Sequence, residues 1–478
     1  MNNLKIIKRG IVALILVILG SCKTPQATTN VPFRTEVPST YNTTTDTVNS
    51  GLVPWKQFFT DKYLSKLIET ALTNNQELLI TLQEIEMAKS EVAYAKGKIA
   101  PTVSAKVGAG VEKVGRYTSQ GAGDASTEIE PGKEMPEPLG DFAVGLNARW
   151  EVDIWKKLRN SKEAAVKRYL GTVEGKNFVL SQLIAEVAAS YYELLSLDNQ
   201  LDITIQNIDL QKKALEVVKI QKQAARGTEL AVKKFEAELL KSQSLEYRIK
   251  QQITEKENSI NKLLGRYPQP IERDATAFID MMPQSVQTGI PAQLLSNRPD
   301  IKQAELELQA AQLDVKVARA EFYPSLDIVS GIGLQAFKPS YLVKMPESIL
   351  YSLVGDLTAP LINRSAIKAE FSRADAKQIQ MLYEYDKTVL NAYMEVSNQM
   401  AKIKNMQSIF EFKKKESETL VQSVGIANEL FKSSRADYLE VLMTQRDAID
   451  AKLEVLEAKA EQLSAVVDIY KSLGGGWK

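Results

Sequence analysis

Histidine is absent from this chain, and cysteine occurs once, at Cys22. Without histidine, the commonest general base and the commonest metal ligand are missing. A single thiol forms no internal disulfide and no cysteine-rich metal centre. Net charge is nearly absent too. There are 60 basic and 59 acidic residues, leaving +1 over 478 residues. That balance argues against nucleic acid as a partner held by charge. An enzyme built on Asp, Glu, Lys or Tyr stays open, but no catalytic or cofactor motif is clustered. Long apolar runs are scarce: residues 11–19 are nine consecutive apolar residues, too few to span a bilayer as a helix. Proline is missing from residues 161–266 and again from 363–472.

Those two proline-free stretches consist largely of strong helix formers. Each reads as one very long helix, a tight turn at Gly227 or near Ser434, and a shorter helix returning. Ordinary helices run 8–20 residues, so a periodic run of about 60 points to a coiled coil or helical repeat. Ile184, Val187, Tyr191, Leu194, Leu201, Ile205, Ile208 and Leu215 follow a 3.5-residue seam. Val389, Tyr393, Val396, Met400, Ile403 and Phe410 do the same in the second stretch. Such seams pack knobs into holes.

The N-terminus reads as an export signal. Lys5, Lys8 and Arg9 precede the apolar run, and Leu19-Gly20-Ser21-Cys22 follows it. This resembles the bacterial lipoprotein signal, in which cleavage leaves an acylated cysteine. Residues 1–21 are then signal peptide. Residues 22–53, rich in Thr, Pro, Asn and Ser, form an acylated tether that builds no core.

The rest repeats. A helix at 62–98 ends at Ala100-Pro101, and one at 300–321 ends at Tyr323-Pro324. A strand follows each. Val103, Ala105, Val107, Ala109 and Val111 alternate with Thr102, Ser104, Lys106, Gly108 and Gly110. Leu326, Ile328, Ser330, Ile332 and Leu334 alternate less cleanly, because Val329 falls on the polar side. After a loop a second strand returns in each half, over 142–152 and about 349–361, and the long helix begins. Trp150 with Leu357 and Gly227 with Ser434 suggest a 207-residue offset. The repeats are expected at 54–270 and 298–478, joined by a linker at 271–297.

Alternating strands of about ten residues suit either a membrane barrel or a small soluble sheet. The anchor and the aromatics Phe142, Trp150 and Trp155 at strand ends favour the membrane. Four strands cannot close a transmembrane barrel, whose smallest form has eight. Two copies would supply eight and three would supply twelve. The rival reading is a lipid-anchored periplasmic coiled-coil scaffold or adaptor.

The chain also resembles a known family, the TolC-like outer-membrane efflux proteins, and within it the lipoprotein drug-efflux branch. Trp55-Lys56-Gln57-Phe58-Phe59, Trp150-Glu151-Val152-Asp153-Ile154-Trp155, Arg298-Pro299-Asp300-Ile301, Tyr438-Leu439-Glu440-Val441-Leu442 and Leu473-Gly474-Gly475-Gly476-Trp477 carry that resemblance. It implies a mainly α fold with a transmembrane β-barrel. Three chains would give twelve strands continued by a periplasmic helical barrel with a mixed belt around its middle. It implies a homotrimer in the outer membrane, docked by a periplasmic adaptor protein that links it to an inner-membrane transporter. The energy source would be that transporter; Gly474-Gly475-Gly476 lacks the Lys-Ser/Thr of a nucleotide-binding loop. The family's periplasmic gate maps onto Leu439 as the apolar ring and Glu440 as an acidic one. A second acidic position, often aspartate, is Met443 here. Adaptor docking maps onto the helical turns, at Arg226, Gly227, Thr228, Ser434 and Arg435. No cofactor is implied.

Overall fold

A computed structural model describes residues 25–28, 37–41, 48–360, 364–433 and 435–477. Cys22 and Ser434 lie outside the described residues. The main elements are α1 (Lys62–Asn74), α2 (Gln76–Gly97), β1 (Thr102–Glu112), β2 (Leu139–Val152), α3 (Lys157–Gln223) and α4 (Glu229–Leu263). They continue with α5 (Pro299–Ala320), β3 (Ser325–Ala336), β4 (Ile349–Thr358), α6 (Ser365–Lys432) and α7 (Tyr438–Ser472). The order of helix, strand, strand, long helix and return helix therefore occurs twice, and the fold is mainly α with a small sheet.

The duplication is most regular in the hairpins. α3 and α6 have 67 and 68 residues, and α4 and α7 have 35 each. The C-terminal ends of α3 and α6, and both ends of α4 and α7, correspond at an offset of 209 residues. The 207 offset expected from Gly227 and Ser434 is therefore corrected: Gly227 matches Ala436, and Arg226 matches Arg435. α4 and α7 both end on a left-handed glycine, Gly265 (φ 64°) and Gly474 (φ 85°). Arg266 N–H reaches back to Asn261 O, and Gly475 N–H to Tyr470 O, each at 3.0 Å. A side chain at Gly474 would meet Asn297 O at 2.7 Å, and one at Gly265 would overlap Asn74 O.

The single helix expected at 62–98 is broken in two at Asn75. Its backbone is extended (ψ 124°), and its side chain accepts from Leu78 N at 3.0 Å while donating to Leu263 O at 2.9 Å. A side chain that caps the next helix competes with continuation of the last one. Asp61 starts α1 in the same way, accepting from Tyr63 N and Leu64 N at 2.7 and 3.1 Å.

The described elements fall into two compact units. One comprises Met1–Pro32, Met87–Tyr169 and Leu306–Leu382. It holds a four-stranded antiparallel meander in the order β1-β2-β3-β4. The segment expected as loop between β1 and β2 carries a short helix, Ser119–Asp124, and a two-stranded ribbon. The apolar cluster of this unit gathers Val315, Ala318, Phe322 and Phe371, with Ala27 against it. Thr28 donates from its N–H and Oγ1 to the Asp375 carboxylate, at 2.9 and 2.6 Å.

The other unit comprises Phe33–Glu86, Leu170–Glu305 and Tyr383–Lys478. Its main core joins Trp55, Phe58, Leu64 and Ile68 to Ile184, Val187, Tyr191 and Leu194, and to Leu463, Val467 and Tyr470. Each large apolar side chain buried here contributes about 1.5–3 kcal/mol. The expected seam of α3 is interrupted: Ile184 to Leu194 and Ile208 are buried, but Ile205 is exposed. Two guanidinium groups tie the remaining chain to this core. Arg273 bonds Asp198 and Glu257, and the buried Arg298 bonds Asp300, Glu395 and Ser472 O. The Arg298-Pro299-Asp300 motif is thus a structural joint. Burial opposes the Arg298 charge, but the carboxylates of Asp300 and Glu395 outweigh it and hold its pKa above the usual arginine value.

Candidate channel wall and helical turns

The strand register assigns every sheet residue to one of two faces. Val103, Ala105, Val107, Ala109 and Val111 of β1 pair with Ala148, Leu146, Val144, Phe142 and Gly140 of β2. The same face continues through Ser330, Ile332, Leu334 and Ala336 of β3 to Leu353, Tyr351 and Ile349 of β4. Among the described residues nothing covers it: Val107, Tyr351 and Leu353 are 81%, 80% and 77% exposed. A face this apolar and this open is matched by lipid, not by water.

The opposite face carries Ser104, Lys106, Asp141, Asn147, Arg149, Asp327, Gln335, Ser352 and Asp356, with glycine and alanine between them. Val329 lies on it, as its place in the alternation predicted. Asp327 stands in register between Glu151 and Asp356, three carboxylates in one row. Like charges side by side repel. Arg149 offsets this row at 3.4 Å from Asp327, and Lys157 at 2.5 Å from Glu151. Strand periodicity alone does not reveal this row, because it depends on the pairing.

Aromatics mark one end of the sheet. Trp150 Nε1 donates to Ile99 O at 3.0 Å, and Trp155 Nε1 to Pro324 O at 2.8 Å. Trp155 stacks on Tyr323 at 4.7 Å. Rings with an apolar body and one satisfied polar tip suit a membrane–water boundary. Just beyond β2, the Asp153 carboxylate accepts from Leu158 N, Arg159 N and Arg159 Nε at 2.9–3.0 Å and so starts α3. Burial tends to raise its pKa, but the hydrogen bonds from Leu158 and Arg159 and the Arg159 charge win and hold it below the usual range.

The two helical turns share a backbone plan. Arg226 N–H bonds Gln221 O, and Arg435 N–H bonds Leu430 O, both at 2.8 Å. At the first turn the left-handed residue is Ala225 (φ 57°), not Gly227. Arg226 and Arg435 are exposed, and neither has an ion-pair partner among the described residues. Thr228 caps α4, its Oγ1 accepting from Ala231 N at 3.1 Å, so its side chain is already engaged. Lys222 and Glu229 pair across the same turn.

The second turn differs. Its cap, Asp437, makes no side-chain capping bond. Leu439, Glu440 and Met443 are all exposed, with Leu439 and Met443 one turn apart on one face. Val441 and Leu442 on the other side are buried, and Leu442 packs with Leu215, Val218, Val232 and Phe235. Leu439, Glu440 and Met443 thus lie within one turn and a half of α7, and Asp447 and Asp450 are exposed further along the Leu439–Met443 line. Their i+4 and i+7 spacing from Met443 was a readable signal. No cluster of Asp and Glu among the described residues is arranged to hold a metal ion.

A sheet apolar on one face and polar on the other, in a chain with two long helical hairpins, defines the class: a subunit of a membrane duct. The comparisons agree. The model of the family described as outer membrane efflux protein matches residues 67–266 and 290–475. The chain belongs to that family. The pyoverdine export outer membrane protein OpmQ of Pseudomonas aeruginosa is 27% identical over 430 residues, covering 90% of this chain and 88% of the relative. The probable outer membrane lipoprotein SilC of Salmonella typhimurium is 24% identical over 437 residues, 91% of each chain. The solved structure of CusC superposes with a TM-score of 0.82 at 22% identity, covering 95% of this chain and 100% of that one. The chain is an outer-membrane channel component of an efflux system, and the scaffold reading falls away.

Proposed function

We propose that three copies of this chain close a twelve-stranded barrel and act, without enzymatic activity of their own, as the passive exit duct of a tripartite efflux pump. The observation that carries this is the uncovered two-faced sheet with β1 and β4 as open edges. Hydrocarbon does not tolerate unpaired strand edges, so the sheet must be completed by others. Twelve strands leave an open lumen, whereas eight are filled by side chains. Drugs or other small molecules would leave the periplasm through it. The names of the relatives carry different cargoes, pyoverdine for OpmQ and cations for CusC, which fits a duct whose selectivity lies in the pump.

A periplasmic adaptor docks on the turns around Arg226 and Arg435 and connects the duct to an inner-membrane transporter. Leu439, Glu440 and Met443 narrow the periplasmic end. Cys22 bears the acyl chains that add outer-membrane lipid as a partner. Ala27 and Thr28 support this anchor: they rest on Phe322, Phe371 and Asp375, and Phe322 lies three residues before β3.

Purification in mild detergent should give a particle of three chains, each the 53.2 kDa sequence less its signal peptide, with small, gated conductance in planar bilayers. Neighbouring residues on opposite faces sharpen the test. Leu353→Arg on the apolar face should cost about 2–4 kcal/mol and reduce SDS-resistant assembly. Val354→Arg on the polar face should be tolerated. A monomer released into water after delipidation, or equal effects of the two substitutions, would overturn the duct.

A further inference from the structure

Gly145 of β2 and Gly333 of β3 are direct cross-strand partners on the polar face, in the row Lys106, Gly145, Gly333, Leu350. A side-chain carbon added at Gly145 would lie 2.6 Å from Ile332 O and 2.9 Å from Gly333 Cα. One added at Gly333 would lie 2.7 Å from Gly145 Cα and overlap Val144 O. All of these contacts are to the backbone of the neighbouring strand, and they are reciprocal. Two strands whose backbones come this close on one side fold toward that side. By contrast, Gly108 of β1, on the same face, and Gly355 of β4, on the apolar face, have nothing within 4 Å. The closeness is therefore not a general property of strand glycines here, although it recurs at Gly140 near the end of β2, on the apolar face, where Phe337 O would lie 2.6 Å away.

We propose that Gly145 and Gly333 form a corner that curls the sheet toward its polar face. A barrel requires its strands to coil, and interior glycines mark the points where a sheet bends sharply. On the polar face the pair is flanked by Lys106 and Leu350 in its own row and by Asn147–Gly331 and Ala143–Gln335 in the adjoining ones, so the gap is confined to the two glycines. The pair thus sets the curvature that lets each chain supply its arc of the barrel. This rests on the reading that the polar face lines a lumen shared by several copies.

The experiment compares Gly145→Ala and Gly333→Ala with Gly108→Ala and Gly355→Ala in the full chain. SDS-resistant assembly and the single-channel conductance of whatever assembles are measured. The corner variants should lose assembly about tenfold, and surviving channels should conduct less, while the two control variants match the parent. Parent-like assembly and conductance for Gly145→Ala and Gly333→Ala would overturn the corner but leave the duct standing. A parent chain that neither assembles nor conducts would sink the duct itself. Equal loss in all four variants would make the effect generic to strand glycines and overturn the corner. If the corner variants are missing from membranes, refolding from urea into detergent reads the same step. Recovery of helical circular dichroism without the SDS-resistant band supports the corner; loss of both overturns it.

Discussion

The two helical turns have one backbone plan and two different fastenings. Both carry an exposed arginine at the same place, and both close with a 2.8 Å bond from that arginine's N–H to the carbonyl five residues earlier. The first turn is fastened by the Thr228 cap and the Lys222–Glu229 pair. The second has no capping bond from Asp437, and it exposes Leu439 and Met443 on α7. Among the described residues the second turn lacks both fastenings of the first, which separates a firmly held turn from a looser one. That difference is what a gate at one turn requires, and adaptor contacts at both turns are compatible with it.

The comparison can be broken most forcefully at the exposed apolar residues. Leu439→Ala combined with Glu440→Ala should raise single-channel conductance several-fold, whereas Leu230→Ala, at the matching place in the first turn, should change it little. Equal effects at the two turns would remove the asymmetry. The next largest effect concerns caps. Thr228→Ala should cost about 1 kcal/mol locally and speed hydrogen exchange over residues 229–232. Asp437→Ala, which breaks no capping bond, should leave exchange at 438–441 nearly unchanged.

Acid offers a third test. The Lys222 hydrogen bond and charge hold Glu229 below the usual glutamate pKa. A depressed folded pKa gives stability that is present above the unfolded value and is lost as pH falls through the folded one. The first turn should therefore loosen slightly as pH falls below the usual glutamate range, an effect read by exchange or by a spin label at Arg226. Glu229→Gln should abolish the pH dependence. The smallest effect is expected from Lys222→Ala at neutral pH, because the pair is exposed on both sides and screened.

Much of this was legible in order along the chain. The alternation from Thr102 to Val111 predicted which side chains share a face, and the anomaly at Val329 correctly placed it on the polar side. Prolines 101 and 324 marked where helices give way to strands. Other features were not legible, for identifiable reasons. Asn75 breaks a helix because its side chain caps the next one and also reaches Leu263 O, a contact made 188 residues away. The tight turn was expected at Gly227, but the left-handed residue in it is Ala225. The proposed gate residues could be grouped by their helical spacing. Only Leu442 packing against Phe235 shows which side of α7 is left open.

The sequence by itself determined the order of elements, their repetition, the two-faced strands and the places where helices start. These follow from propensities, caps and periodicities that act over about four residues. The tertiary structure alone decided the register. It set Glu151, Asp327 and Asp356 in one row, brought Gly145 against Gly333, and gathered Asp300, Glu395 and Ser472 around Arg298. Each of these joins residues far apart in the chain, and their contact energy exists only once the strands and helices have met.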